Sequence, residues 1–254
     1  MNETLEAMAR AIFKDWLVDF GPVRAKAEGH PPYLAPEIWE LFPDAFDDED
    51  KPLEWEFWEF GFLADVADSP RRGINPSDIP DETPYIGLEH MPRRSIALTE
   101  WENSGNIISN KSVFKKGEFL FGKLRPYFHK VGVAPIDGIC STDIIVVQPR
   151  KPIWSAFVIL SISTDEFVDY TDKISTGTKM PRTKWSDMGR HMICLPSVSV
   201  AHCFQILIQP LVNKIIGDIY ENKTLAQLRD LLISKPMSGE IRLRDAEKAV
   251  EAMV

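Results

Sequence analysis

The chain has 254 residues, 44% of them hydrophobic, and a formal net charge of −9. That is enough apolar material for one sizeable core with helical attachments, and no run approaches the roughly 20 apolar residues of a membrane-spanning helix. Cys140, Cys194 and Cys203 lack metal-ligand spacing and read as buried thiols of a reducing compartment, and the acidic N-terminus lacks a basic-then-apolar leader, so a cytoplasmic protein is expected.

Residues 1–28 read as an N-terminal helical segment. Leu5, Met8, Ile12, Trp16 and Phe20 recur at three- and four-residue steps and predict an amphipathic helix over residues 2–20. Asn2 or Thr4 would cap it, and Gly21-Pro22 would end it, with Val23 to Glu28 able to add a turn. Residues 29–52 carry Pro31, Pro32, Pro36 and Pro43, then Asp47, Asp48, Glu49 and Asp50: an acidic, Pro-rich linker with at most one short helix near Ile38 to Phe42.

From residue 53 to 198 the texture is mixed. Phe119-Leu120-Phe121, Val131-Gly132-Val133 and Ile144-Ile145-Val146-Val147 are short runs rich in β-branched and aromatic residues, punctuated by Gly, Pro and Asp137-Gly138. Trp154 to Ser163 and Ser186 to Arg190 read as short helices. The expected class is α+β, with a twisted sheet. Residues 199–254 hold a long helix and a tail. Phe204, Ile208, Leu211, Ile215 and Ile219 form one stripe, continued by Leu225, Leu228 and Leu232. Some 30 helical residues extend about 45 Å, a length that suits a coiled coil. Pro210 is expected to kink or break it, and Asn222 lies near the apolar seam. Asn2-x-Thr4-Leu5 echoes Asn222-x-Thr224-Leu225, each followed by apolar residues three and seven positions on, which suggests a duplicated helical element.

Signatures of catalysis are missing. His30-Pro31-Pro32-Tyr33 resembles the Asn/Asp-Pro-Pro-Tyr loop of adenine methyltransferases, but an imidazole is the wrong group to accept the hydrogens of an exocyclic amine. Pro43-Asp44 with Glu49-Asp50-Lys51 mimics a Mg²⁺-nuclease pattern, yet sits in the acidic linker with no strands to fix it. The sequence carries no phosphate-binding Gly-rich loop, no Gly-x-Ser-x-Gly elbow and no metal-spaced histidines. Neither a cofactor nor a metal is expected.

Charge is unevenly spread. Tyr85 to Val200 holds 15 Lys and Arg against 11 Asp and Glu, leaving 14 against 27 elsewhere. An acidic frame around a mildly basic middle suits a protein that offers one face to phosphates. Two segments stand out: Lys111 to Lys130, and the acid-free stretch from Lys173 to Lys184 with hydroxyls and Gly177. The DNA-contacting candidates are Lys123, Arg125, Lys130, Lys173, Thr176, Thr178, Lys179, Arg182 and Lys184; the arginines suit guanine edges, the lysines phosphates. An ordinary charged surface with a Gly turn remains the alternative on composition alone.

Several separate strings, in order, resemble the specificity subunits of type I restriction–modification systems. Asn2 to Lys14, with Val18-Asp19-Phe20 and Pro22 to Lys26, resembles the central conserved region of that family. Tyr85 to Met91, Gly122 to Tyr127, Cys140 to Asp143 and Ser175 to Arg182 resemble a target recognition domain; Leu228 to Leu232 and Ser238 to Ile241 resemble the C-terminal conserved region. Ile233-Ser234-Lys235-Pro236 departs from the usual Leu-Pro-Lys pattern. The resemblance implies one recognition domain, with long conserved-region helices forming an antiparallel coiled coil. It implies a non-catalytic subunit that reads one half of a bipartite double-stranded DNA site. It also implies docking to methyltransferase subunits, which bind S-adenosylmethionine, and through the complex to a restriction subunit. Family members usually carry two recognition domains, so pairing of two such half-subunits as a homodimer on a palindromic site is expected. A stand-alone or fused endonuclease and an inactive truncated subunit are the alternatives.

Overall fold

The structure is a computed structural model and describes residues 1–46, 59–105 and 107–237. The N-terminal region forms α1 (Asn2–Leu17), α2 (Gly21–Ala27) and α3 (Pro36–Trp39). Then follow β1 (Glu59–Phe62), α4 (Leu63–Val66), β2 (Ala67–Asp68), β3 (Gly73–Ile74), β4 (Pro84–Ile86), β5 (Glu102–Asn103), β6 (Lys111–Phe114), β7 (Phe119–Gly122), β8 (Val131–Val133), β9 (Gly138–Cys140) and β10 (Ile144–Pro149). The chain continues through α5 (Ser155–Ile162), α6 (Asp165–Lys173), α7 (Trp185–Met188), β11 (Met192–Leu195) and α8 (Val198–Met237). Glu49-Asp50-Lys51 and Ser238 to Ile241 lie outside the described residues.

Two sheets are stacked beside the helices. One has the order β2-β10-β7-β8, all antiparallel; the other runs β3-β6-β9-β4-β5, with β4 and β9 parallel. Alternation along the central strands makes the first sheet a middle layer. Phe119, Phe121, Ile145 and Val147 face the helices, whereas Leu120, Ile144 and Val146 face the second sheet with Ile86, Leu98 and Phe114. Gly132 leaves room for Leu98: a Cβ there would meet the Leu98 side chain at 2.5 Å. β1 and β11 form a separate antiparallel pair.

α1 lies antiparallel against the first half of α8. Asn2 Nδ2 donates to the Ile215 carbonyl at 3.4 Å at one end, and the Trp16 and Phe204 rings meet at 6.0 Å at the other. This pair belongs to the main core, since Phe13 packs between Phe157 of α5 and Phe204 of α8. The expected stripe on α1 is rotated. Glu6, Ala9, Phe13, Trp16 and Leu17 are buried, while Met8 is 49% exposed and Phe20 falls beyond the helix in the left-handed region at φ 52°. The reason is a two-sided environment: small Ala9 permits close approach and Phe13 fills the space between two helices. On the side facing the sheets, the Glu6 carboxylate accepts from Ser95 Oγ at 2.7 Å and Ile96 N at 3.1 Å.

α8 is 40 residues long, about 60 Å at 1.5 Å per residue. It continues through Pro210 without the local break that was one expectation there. The proline and Ile206, whose carbonyl loses its helical partner, both face solvent, so water can take up that acceptor. Phe204, Ile208, Val212, Ile215 and Ile219 are buried; over residues 221–230 the helix stands largely exposed, and Asn222 points to solvent. Much of the expected linker is packed onto α1 and α2: Trp39 and Phe42 are buried, and Phe42 meets Trp16 edge-on at 5.4 Å. The Tyr33 hydroxyl donates to Asp15 Oδ2 at 2.9 Å, so the His30 to Tyr33 string is a tether. α6 was not anticipated; Thr164 caps it by accepting from Phe167 N at 3.1 Å. Among the described residues no helix is long and apolar enough to cross a membrane.

Candidate nucleic-acid interface

Three chain segments far apart in sequence leave their elements at one place. β7 leads into Lys123-Leu124-Arg125, β9 into Ser141-Thr142-Asp143, and α6 into residues 174–184. Lys123 N donates to the Asp143 carbonyl at 2.9 Å, Thr183 N to the Lys123 carbonyl at 3.1 Å, and Arg125 N to the Pro181 carbonyl at 2.8 Å. Ser141 N donates to the Ile86 carbonyl at 3.0 Å, tying in the end of β4. The strings Tyr85 to Met91, Gly122 to Tyr127, Cys140 to Asp143 and Ser175 to Arg182 therefore meet through main-chain hydrogen bonds. Each bond satisfies backbone that would otherwise need water.

The loop after α6 is closed at its neck. Thr176 and Arg182 exchange two backbone hydrogen bonds of 3.0 Å each, and Leu124 bridges to Arg182 on the other side. Gly177 takes φ +104°, a conformation that L side chains rarely adopt. Thr178, Lys179 and Met180 form the exposed tip. A rigid neck with a polar, cationic tip is an arrangement that holds a few side chains toward a ligand while the scaffold fixes their position.

Arg125 and His129 both stand at φ 51°, flanking the turn Pro126–Phe128. Such strain persists where surroundings over-determine it. His129 is buried, with Nε2 3.0 Å from the Ser163 carbonyl and Nδ1 3.2 Å from Asp165; burial pushes its pKa below the ordinary imidazole value. Two guanidinium groups lie over the Phe128 ring, Arg93 at 4.3 Å and Arg125 at 5.9 Å from the ring centre. Tyr127 beside it is half exposed.

The candidate cations differ in their surroundings. The Arg182 guanidinium is paired with Asp143 at 3.0 Å. Lys130 turns inward, its ammonium donating to the Leu88 carbonyl, and burial, with nearby Arg93, lowers its pKa. Arg125 is half-buried, with its Nε enclosed and lacking a partner. Lys173, Thr176, Thr178, Lys179 and Lys184 are exposed, and Lys123 is partly so. The fold thus joins Lys123, Arg125, Thr176 and Arg182 through paired backbone, with Lys184 next in chain to the paired Thr183, Thr178 and Lys179 on the tip, Lys173 at the loop's root and Lys130 behind the frame. Sequence reading missed Arg71 and Arg72, whose loop borders Lys123 and Lys184; the doubled arginine of Ser69 to Gly73 was the available signal.

Glu89, His90 and Glu102 bring three possible ligand atoms within 4.8 Å of one another. However, Gly87 N donates to His90 Nδ1 at 2.9 Å, which makes Nδ1 the acceptor and places the neutral ring's proton on Nε2. Nε2 faces Glu102 at 4.0 Å. The histidine serves the turn, and its remaining nitrogen is a donor rather than a metal ligand.

No protein-family model matches the chain. It is 24% identical over 262 residues to the type I restriction enzyme MjaIX specificity subunit of Methanocaldococcus jannaschii, covering 96% of this chain and 54% of that protein. It is likewise 24% identical over 289 residues to the HindI specificity subunit of Haemophilus influenzae, covering 95% of this chain and 62% of the relative. The chain thus spans little more than half the length of these curated relatives. Its fold is similar to that of a chain solved in work on assembly and conformational transition of a type I restriction–modification system, with a TM-score of 0.51 and 19% identity over 69% of this chain and 47% of the other.

Proposed function

We propose that this homologue of type I restriction enzyme specificity subunits is the DNA-reading, non-catalytic part of a restriction–modification complex. The observation that carries the reading is the convergence of four sequence strings on one backbone-locked frame, from which residues 176–182 project. The exposed tip offers the hydroxyl and ammonium groups that contact base edges and phosphates. Arg182, held by Asp143 in the free protein, is pre-positioned for exchange onto a base edge or phosphate. The substrate is double-stranded DNA, and the protein partners are a methyltransferase subunit and, through the complex, a restriction subunit.

The helices supply the assembly surface. Distal α8 exposes Leu225 at 55%, and beside it lies a cleft of about 490 Å³ bordered by Asn2, Asp218, Asn222 and Leu225. Asn2 Oδ1 and Asp218 Oδ2 are buried there without hydrogen-bond partners, and the two asparagines of the echoed strings both border this cleft. These features support a second copy packing its own helix here, giving a two-fold reader of a palindromic bipartite site.

Reconstitution tests the function. The full chain mixed with a cognate methyltransferase subunit is expected to give methylation confined to one DNA sequence. Methylation independent of the chain, or none in a stable complex, would refute it.

A further inference from the structure

A cleft of about 370 Å³ opens beside the recognition frame, between the β2–β3 connection and the start of α7. Arg71, Lys123 and Lys184 border it from three separate segments, together with Ser112, Thr142 and Thr183. Nearby cations are already satisfied. Arg72 makes a two-pronged contact with Glu118 at 2.9 and 2.7 Å, Lys115 pairs with Asp137 at 3.1 Å, and Arg182 pairs with Asp143. Among the described residues, no carboxylate pairs with Arg71, Lys123 or Lys184. Three unneutralised cations around a concavity repel one another and concentrate positive potential there. Thr183, on the same wall, is 1% exposed, and its Oγ1 has no hydrogen-bond partner. A buried hydroxyl without a partner is costly, and a ligand oxygen entering the cleft would relieve it.

We propose that this cleft seats a backbone phosphate of the DNA, held by Arg71, Lys123 and Lys184. The chemistry fits: ammonium and guanidinium groups with hydroxyls are the usual partners of phosphodiester oxygens. A phosphate contact carries no sequence information; it fixes the register in which the neighbouring loop meets the bases. Arg71 thereby joins the DNA-contacting set from a segment about fifty residues before Lys123. The inference rests on the DNA-reading assignment, and its test separates the two.

Binding of the full chain, alone and with a methyltransferase subunit, to target and mixed-sequence duplexes is measured by fluorescence anisotropy across a salt series. The Arg71→Ala/Lys184→Ala double variant is expected to weaken both duplexes equally and to lower the slope of log affinity against log salt by about 2. Arg71→Lys/Lys184→Arg is expected to restore the slope, which a purely structural defect would not allow, and Lys151→Ala to leave it unchanged. An unaltered slope in the double variant, with the wild type binding normally, overturns the cleft and leaves DNA reading intact. A wild type that binds no duplex in either form overturns both. Inorganic phosphate titrated alone supplies the remaining arm: if the double variant loses phosphate binding but keeps duplex affinity, the cleft is a free-anion site and the backbone contact is wrong.

Discussion

The two halves of α8 share one apolar period and have opposite fates. From Phe204 to Ile219 the stripe is buried against α1, α5 and the middle sheet; beyond Glu221, Leu225 is more than half exposed although the sequence repeats the same step. The helical period therefore specifies a helix with an apolar face but not what covers that face. In the proximal half the cover is the chain's own body. In the distal half the proposed cover is another molecule. The crossing point is marked by Tyr220, whose hydroxyl donates to the Pro135 carbonyl, and by Lys223, whose ammonium sits over the Trp101 ring at 3.0 Å.

Substitutions can break that comparison. The largest effect is expected from Phe204→Ala, which empties a site touching Phe13 and Trp16 and should cost about 3–5 kcal/mol in denaturant-unfolding free energy. A proximal stripe that tolerates this change would not be a core. Glu6→Ala should cost about 1–3 kcal/mol, because Ser95 Oγ and Ile96 N lose their acceptor between α1 and the sheet-bearing region; calorimetric melting is the check. Leu225→Asp should change monomer stability by no more than about 0.5 kcal/mol while abolishing self-association in sedimentation runs, whereas unchanged association would leave the distal stripe without its proposed role.

The smallest effect concerns pH. Burial pushes both His129 and His191 below the usual 6.5. The unfolded chain therefore takes up protons first as pH falls, so stability is complete above about 6.5 and declines toward the lower folded-state values. The His191 ring packs edge-on against Phe167 at 5.0 Å and beside Tyr170 at 4.6 Å. His191→Phe keeps an aromatic ring there and should make the acid-side decline shallower, as read by urea midpoints between pH 7 and 5.

Much of this architecture was legible, but unevenly. The strands at Phe119, Val131 and Ile144 announced themselves because a doubly covered sheet selects short β-branched runs. The long helix followed from its period. The face of α1 did not: burial there answers to two neighbours at once, and a stripe counted on one helix sees neither. α6 escaped because only Phe167, Val168 and Thr171 of its nine residues are buried. At the candidate site the basic segments were visible as charge, yet their joining through Asp143, Lys123 and Pro181 is a property of main-chain bonds that side-chain identity does not reveal. Lys130 illustrates the limit. By composition it belonged with the surface cations, but the fold turns it inward, half-buried, onto the Leu88 carbonyl.

The central claim is that one reading frame per chain, used in two copies, recognises DNA. Base-resolution mapping of methylation by the complex assembled from this chain and a methyltransferase subunit tests it most directly. The account predicts a single bipartite site whose two halves are inverted copies of each other. Methylation at an asymmetric site, or at sites sharing no sequence, would contradict it.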